Sequence, residues 1–279
     1  MPPHTGTERS ILITGCSSGI GLASATMLKA RGWRVIATAR RPDDLARLAG
    51  LGLDAVPLEL ADSSSIAACA REVLALTGGR LDALFNNAAY GQPGAIEDLT
   101  ADALRRQFEV NVIGTHDLTR RLIPAMRAQG HGRIVNCSSV LGLVAAPWRG
   151  AYCASKFALE ALTDALRSEL HGTGIDVVLI EPGPIRTRFV DAALAAARAQ
   201  VDISGSVHRE RYETMIAGME RGGKQTFKLE PEAVAVKLIH AVESRRPKVR
   251  YYVCTPTYAA AFLRRVLPHR LLDRVARVM

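Results

Sequence analysis

The chain has 279 residues, 48% of them hydrophobic and 23% charged, with a formal net charge of +9 at pH 7. That length and apolar content can bury one large core, which excludes a disordered chain or a repeat fibre. There is no run of about 18 apolar residues to cross a membrane, and ILITG after the polar MPPHTGTERS is too short for a signal-peptide core.

Short apolar runs alternate with helical patterns. Residues 10–14 read as a buried strand, followed by a Gly-rich turn and a helix to about residue 31. Strands follow over 34–38 and 54–59, and Pro57 moves the second of these to a sheet edge. A helix over 63–76 opens on a Ser-rich cap, 81–86 form a fourth strand, and a long helical region covers 101–129. A fifth strand over 133–137, a helix over 152–170 and a sixth strand over 175–180 complete the alternation. Beyond it, 190–201 read as an Ala-rich helix, 202–206 as a break, 231–242 as an amphipathic helix opened by Pro231, and 250–254 as a seventh strand. The pattern predicts an α/β, Rossmann-type doubly wound parallel sheet of about seven strands, flanked by helices. Residues 1–255 are expected to form this domain and 256–279 a helical extension. Ligands of such sheets sit at the carboxyl ends of the strands.

The first such end carries Thr14-Gly-Cys-Ser-Ser-Gly-Ile-Gly21. Gly15 permits a sharp turn, Gly19 lets the backbone approach a ligand closely, and Gly21 permits tight packing of helix on strand. The helix start then offers N–H groups and a positive dipole end to a pyrophosphate. An NAD site usually presents an acid at the end of the second strand, but here the residues are Ala39-Arg40-Arg41. A guanidinium in place of a carboxylate favours a 2′-phosphate, hence NADP(H), with NAD(H) as the alternative.

Tyr152 and Lys156 stand four apart at the start of a helix and share one face. A phenol titrates near pH 10, and a neighbouring ammonium that brought it to about 7–8 would stabilise the phenolate by about 3–4 kcal/mol. That would make Tyr152 a useful acid/base for an alcohol oxygen. Ser138-Ser139 end the fifth strand, and Asn111 lies within the long helix.

These pieces together resemble the short-chain dehydrogenase/reductase family, in its single-domain branch. The matching elements are Thr14 to Gly21, Asn86-Asn-Ala-Ala89, Asn111, Ser139, Tyr152-x-x-x-Lys156 and Pro182-Gly-Pro-Ile-Arg-Thr187. The resemblance implies that Tyr152 is the catalytic acid/base, that Lys156 lowers its pKa and holds the nicotinamide ribose, and that Ser139 positions the substrate oxygen. It implies further that Asn111 supports a water-mediated proton relay and that the cofactor's pyrophosphate is lined by Gly15, Ser17, Ser18, Gly19, Ile20 and Gly21. Asn87 would meet the adenosine side, and Pro182, Gly183, Ile185 and Thr187 the nicotinamide side. Two departures stand out: Ala89 replaces a glycine, and Glu59 replaces an aspartate near the adenine, which moves the expected contact toward the Leu60 backbone. The segment Tyr152 to Glu160 is similar to hydroxysteroid and retinol dehydrogenases of the family. A homodimer or homotetramer is what the family implies.

Residues 184–229 would choose the substrate, and with Leu141, Val144, Trp148 and Met215 they describe an apolar pocket for a hydrophobic alcohol or carbonyl compound. Two other readings are a 3-oxoacyl-thioester reductase of the same fold and a non-catalytic dinucleotide sensor. The long basic extension disfavours the first, and the joint presence of Tyr152, Lys156, Ser139 and Asn111 disfavours the second. The positive charge is concentrated at the end of the chain. From Ser244 to Met279 nine Arg or Lys face one acid, Asp273, while the rest is almost neutral. No nucleic-acid motif accompanies it. The extension is expected to cover the pocket mouth or a subunit seam rather than lie on a membrane, because Pro268 splits it. Seven scattered histidines show no metal-ligand spacing, and five cysteines without a CxxC pair point to reduced thiols in a cytoplasmic protein.

Overall fold

The computed structural model describes residues 8–222 and 226–276. Seven parallel strands form one sheet in the order β3-β2-β1-β4-β5-β6-β7: β1 Ser10–Ile13, β2 Arg34–Ala39, β3 Asp54–Pro57, β4 Ala83–Asn86, β5 Gly132–Cys137, β6 Ile175–Pro182 and β7 Arg250–Val253. Pro57 does sit on an edge strand, pairing only with Ala39 of β2.

Alternation of side chains along the strands builds the two layers. Ile11 and Ile13 of β1 pack on one face with α1 (Gly19–Ala30) and α9 (Glu232–Glu243). Leu12 faces the opposite core, which includes Ile66 of α3 (Ser63–Leu76) and Leu118 and Leu122 of α5 (Thr115–Gln129). The helix α6 (Gly150–Glu169) also lies on this second face, through Leu166. The direction of chain winding reverses between β1 and β4, and that is where the strand ends open a crevice.

Several local features differ from the sequence expectations. The cap of α3 is Asp62, which accepts from the Ser64 N–H at 2.8 Å, rather than a serine. Two further helices, α2 (Pro42–Gly50) and α8 (Arg209–Glu220), lie where none was expected. The helical region expected over 101–129 is continuous but not uniform: α4 (Ala101–Phe108), a π turn over Glu109–Gly114, and α5. At the end of the π turn, Gly114 lets the chain pass closely against the loop after β3, since a Cβ there would stand 2.0 Å from the Leu60 carbonyl oxygen. After the segment α7 (Phe189–Gln200) and β7, the chain ends in α10 (Thr255–Val266) and α11 (His269–Ala276), parted at Pro268. No helix among the described residues is long and apolar enough to cross a membrane. All five cysteines are buried free thiols.

Candidate active site

The turn after β1 is held open by its backbone. Gly15 and Gly19 have φ of +74° and +56°, and a Cβ on Gly21 would stand 2.2 Å from the Gly15 carbonyl oxygen. Thr14 Oγ1 accepts the N–H groups of Asn87 and Ala88, each at 2.9 Å, and Asn87 Nδ2 donates to the Thr14 carbonyl oxygen at 2.9 Å. These bonds tie the loop after β4 to the Gly-rich turn across the crevice, so the Asn87 amide is engaged with the loop itself. Ser18 precedes α1 without capping it, the Ser17 carbonyl oxygen accepts from Arg47, and Ile20 packs on the core. Thr187 comes down on the turn from the far side: a Cβ on Gly19 would lie 2.8 Å from its Cγ2. Gly183 and Ile185 lead to it, fixed by backbone pairing with Val253 and Leu229.

At the end of β2, Arg40 is well exposed, and its guanidinium reaches the Glu59 carboxylate at 3.5 Å. Glu59 also accepts the Ala61 N–H at 3.1 Å. The Leu60 carbonyl is turned onto Gly114, which leaves only its N–H for a contact on the nucleotide side.

Tyr152, Lys156, Ser139 and Asn111 are brought together by the ends of β4 and β5, the π turn and the first turns of α6. Asn111 is buried, with Nδ2 donating to the Tyr90 carbonyl oxygen at 2.9 Å and to Ser155 Oγ at 3.1 Å, while its Oδ1 accepts the Tyr90 N–H at 3.1 Å. Ser155 Oγ in turn donates to the Tyr152 carbonyl oxygen at 2.8 Å. Ser139 Oγ accepts the Leu141 N–H at 3.1 Å, and its hydroxyl is close enough to the Tyr152 phenol to pull the phenol's pKa down. The buried Lys156 donates from Nζ to the Cys137 carbonyl oxygen at 2.7 Å, with the ammonium 5.7 Å from the centre of the Tyr152 ring.

The charge states correct the sequence expectation. Burial, reinforced by the Cys137 side chain, pushes the Tyr152 phenol well above the ordinary tyrosine range, and the Ser139 hydroxyl opposes this only in part. Burial likewise lowers the Lys156 ammonium, against the raising influence of Cys137 and Glu160. Burial therefore sets the direction of the Tyr152 shift.

On the substrate side, Leu141 and Val144 belong to an apolar cluster that Tyr152 packs against. Trp148 instead turns to α8, edge-on to His208 at 5.2 Å and to Tyr212 at 5.3 Å, and Met215 is half-buried on that helix. Phe189, which the sequence reading did not single out, stands edge-on to Tyr152 with centroids 5.4 Å apart. Gly91 makes the room, since a Cβ there would lie 2.8 Å from Phe189 Cζ and 3.5 Å from Tyr152 Cδ2.

A second group escaped the sequence reading altogether. Glu160 and Asp164 follow Lys156 at four-residue steps on α6, and both meet Arg250 of β7. Arg250 also donates to Glu181 Oε1 at 2.5 Å and to Asp164 Oδ2 at 2.6 Å. Glu181 is wholly buried, and burial together with the Glu160 carboxylate pushes its carboxyl up to about 8 despite Arg250. It thus favours the protonated carboxyl near neutrality. No spacing signal links these four residues, because Arg250 lies 69 to 90 residues from its partners.

Comparison with known proteins agrees with this geometry. Residues 9–197 match the short chain dehydrogenase family. The chain is 45% identical over 268 residues to the uncharacterized oxidoreductase YbbO of Escherichia coli, covering 96% of this chain and 94% of that one. It is 35% identical over 257 residues to 17-beta-hydroxysteroid dehydrogenase type 1 of Homo sapiens (87% and 76% covered). Identity to the NADPH-dependent 3-dehydrocapnine reductase of Ornithobacterium rhinotracheale is 30% over 275 residues (96% and 95%). Among solved structures, a short chain dehydrogenase/reductase of Burkholderia phymatum in complex with NAD superposes with a TM-score of 0.78 at 26% identity (97% and 95%). The actinorhodin polyketide ketoreductase with NADPH gives 0.72 at 28% identity (90% and 98%).

Proposed function

Because the chain belongs to the short-chain dehydrogenase/reductase family and is an oxidoreductase of that fold, we propose that it reduces apolar aldehydes or ketones with NADPH, Tyr152 serving as the acid that protonates the carbonyl oxygen. The observation that carries this reading is the convergence of the Ser139 hydroxyl and the Lys156 ammonium on the Tyr152 ring.

The residues present fit a dinucleotide. A backbone cradle with no space for a Cβ at Gly19 or Gly21 leads into the N-terminus of α1, where free N–H groups meet a pyrophosphate. Gly15, Ser17, Ser18 and Ile20 line the same turn, and Pro182, Gly183, Ile185 and Thr187 close it from the nicotinamide side. Glu59, Leu60 and Asn87 border the adenosine end. Arg40 is exposed beside a carboxylate it holds only loosely, so its guanidinium is available to a 2′-phosphate. The relative named as NADPH-dependent supports NADP(H) over NAD(H).

The cofactor, when bound, supplies the hydride. The protein's own part is the proton. Ser139 donates to the substrate oxygen and orients it toward the Tyr152 hydroxyl. Tyr152 delivers its proton to that oxygen, which its high pKa in the buried site permits because the phenol stays protonated at working pH. Lys156, anchored on Cys137, stabilises the phenolate left behind and holds the ribose, and Asn111 braces Tyr90 and Ser155 beside the path by which the proton is replaced. Phe189, Leu141 and Val144 exclude water and favour an apolar substrate, with residues 184–229 as the substrate-binding segment. A relative acting on a hydroxysteroid supports the same class. A cytoplasmic homodimer or homotetramer is part of this reading, and the buried free thiols fit a reducing compartment.

The deciding experiment follows NADPH consumption by the pure protein against ketosteroids, retinal, long-chain aldehydes and an acetoacetyl thioester. Turnover confined to the thioester would favour the acyl-thioester reductase instead, and nucleotide binding without turnover on any of them a sensor.

A further inference from the structure

The two terminal helices have unlike faces. Inward, Ala260 of α10 and Leu272 of α11 join the cluster of Val140, Leu141 and Val144 that Tyr152 also packs against. These helices therefore form a wall of the catalytic cleft. Outward, Tyr258, Phe262 and Val266 recur every four residues along one stripe of α10 and are 54%, 64% and 53% exposed. Leu271 on α11 is also exposed. Around them stand Arg264, Arg265, Arg270 and Arg274, all exposed, against the single acid Asp273.

We propose that this outer face docks the protein on an anionic lipid bilayer. An exposed apolar stripe bordered by arginines is the pattern of a helix lying in a membrane interface, where aromatic and aliphatic side chains enter the acyl boundary and guanidiniums meet phosphate headgroups. Pro268 does not count against it, since each helix carries its own share of exposed apolar and basic residues. Charge selects the occupant. A symmetric contact with a second copy would set these arginines against their own counterparts with one aspartate per chain to offset them. A nucleic acid would leave the central apolar stripe unmatched. An anionic bilayer satisfies both features. Docking there would bring the wall of the cleft to the surface into which apolar compounds partition. Lipid binding by this face does not require the chemistry proposed above.

The test is flotation of the full chain with vesicles of phosphatidylcholine alone or with about 30% phosphatidylglycerol. The protein should float only with the anionic vesicles and be released by about 0.5 M salt. The double variant R265E/R270E should lower the bound fraction at least about tenfold, and F262S several-fold, with unfolding curves unchanged because all three side chains are exposed. Failure to float with anionic vesicles, equal flotation on both compositions, or flotation indifferent to R265E/R270E overturns the proposal. So does a change in the sedimentation of the protein alone in R265E/R270E with flotation intact, which would make the face a contact between copies.

Discussion

Lys156 and Tyr152 are stacked rather than paired: the ammonium stands 5.7 Å from the ring centre while Nζ donates to the Cys137 carbonyl oxygen at 2.7 Å. The strand end thus fixes the lysine, and the Ser139 hydroxyl beside the phenol pulls its pKa down against burial. If Tyr152 supplies the proton, Tyr152→Phe keeps the ring, its contact with Phe189 and the dinucleotide cradle but loses the acid. Turnover should fall at least about a hundredfold. NADPH affinity, read by fluorescence titration, should change no more than about twofold. Retained turnover would remove Tyr152 from the mechanism.

The raised pKa of Tyr152 has a sign that can be measured. Its folded value lies above the ordinary 10.0, so its contribution to stability is full below pH 10 and is lost as pH climbs above it. In the unliganded protein, ultraviolet titration of tyrosinate should give the same curve for the parent and Tyr152→Phe below pH 10. An extra phenolate in the parent at about pH 7–9 would mean that Lys156 already outweighs burial.

Arg40 and Glu59 make the cofactor preference adjustable. Their 3.5 Å contact is exposed and contributes little to stability. Arg40→Ala should weaken NADPH binding at least about tenfold and leave NADH nearly unchanged, because only the former brings a 2′-phosphate. Glu59→Gln keeps an oxygen for the Ala61 N–H and removes the competing charge, so NADPH should bind more tightly. Equal effects on both nucleotides, measured by calorimetry, would place Arg40 outside the phosphate site.

How legible this was in the sequence depended on whether the signal was local. Strands such as Ile11 to Ile13 and Val177 to Ile180 are unbroken apolar runs because both their faces are buried. Pro57 announced an edge, and Gly21 announced the close packing of helix on turn that its crowding against the Gly15 carbonyl shows. The π turn carrying Asn111 was hidden, because over six residues its hydrophobic pattern does not differ from that of an α-helix and the residue against Gly114, Leu60, lies far off in the chain. Phe189 read as one more apolar residue until α7 folded over Tyr152. Glu160 and Asp164, four apart on a helix, look like a solvated face, and only the pairing of β6 with β7 brings Arg250 to them.

That buried group carries the last prediction. Arg250 serves three carboxyl groups, and burial beside the Glu160 carboxylate raises the Glu181 pKa from 4.5 to about 8. A carboxyl raised in the folded state stabilises most below its unfolded pKa, and that contribution is lost as pH rises through the folded one. The window here runs from pH 4.5 to about 8. Glu181→Gln keeps a neutral side chain whose oxygen can still accept from Arg250, so its melting temperature should gain on the parent's steadily across this window. A gap that narrows with rising pH would mean Glu181 is ionised and simply paired with Arg250. Arg250→Met should destabilise at all pH values by about 3–5 kcal/mol, because it leaves buried carboxyl groups without their cation. Lys156 lies one turn from Glu160, and Glu160 helps keep its ammonium charged. Glu181→Gln should therefore also shift the pH dependence of turnover, read at a temperature where parent and variant are both fully folded across the pH range.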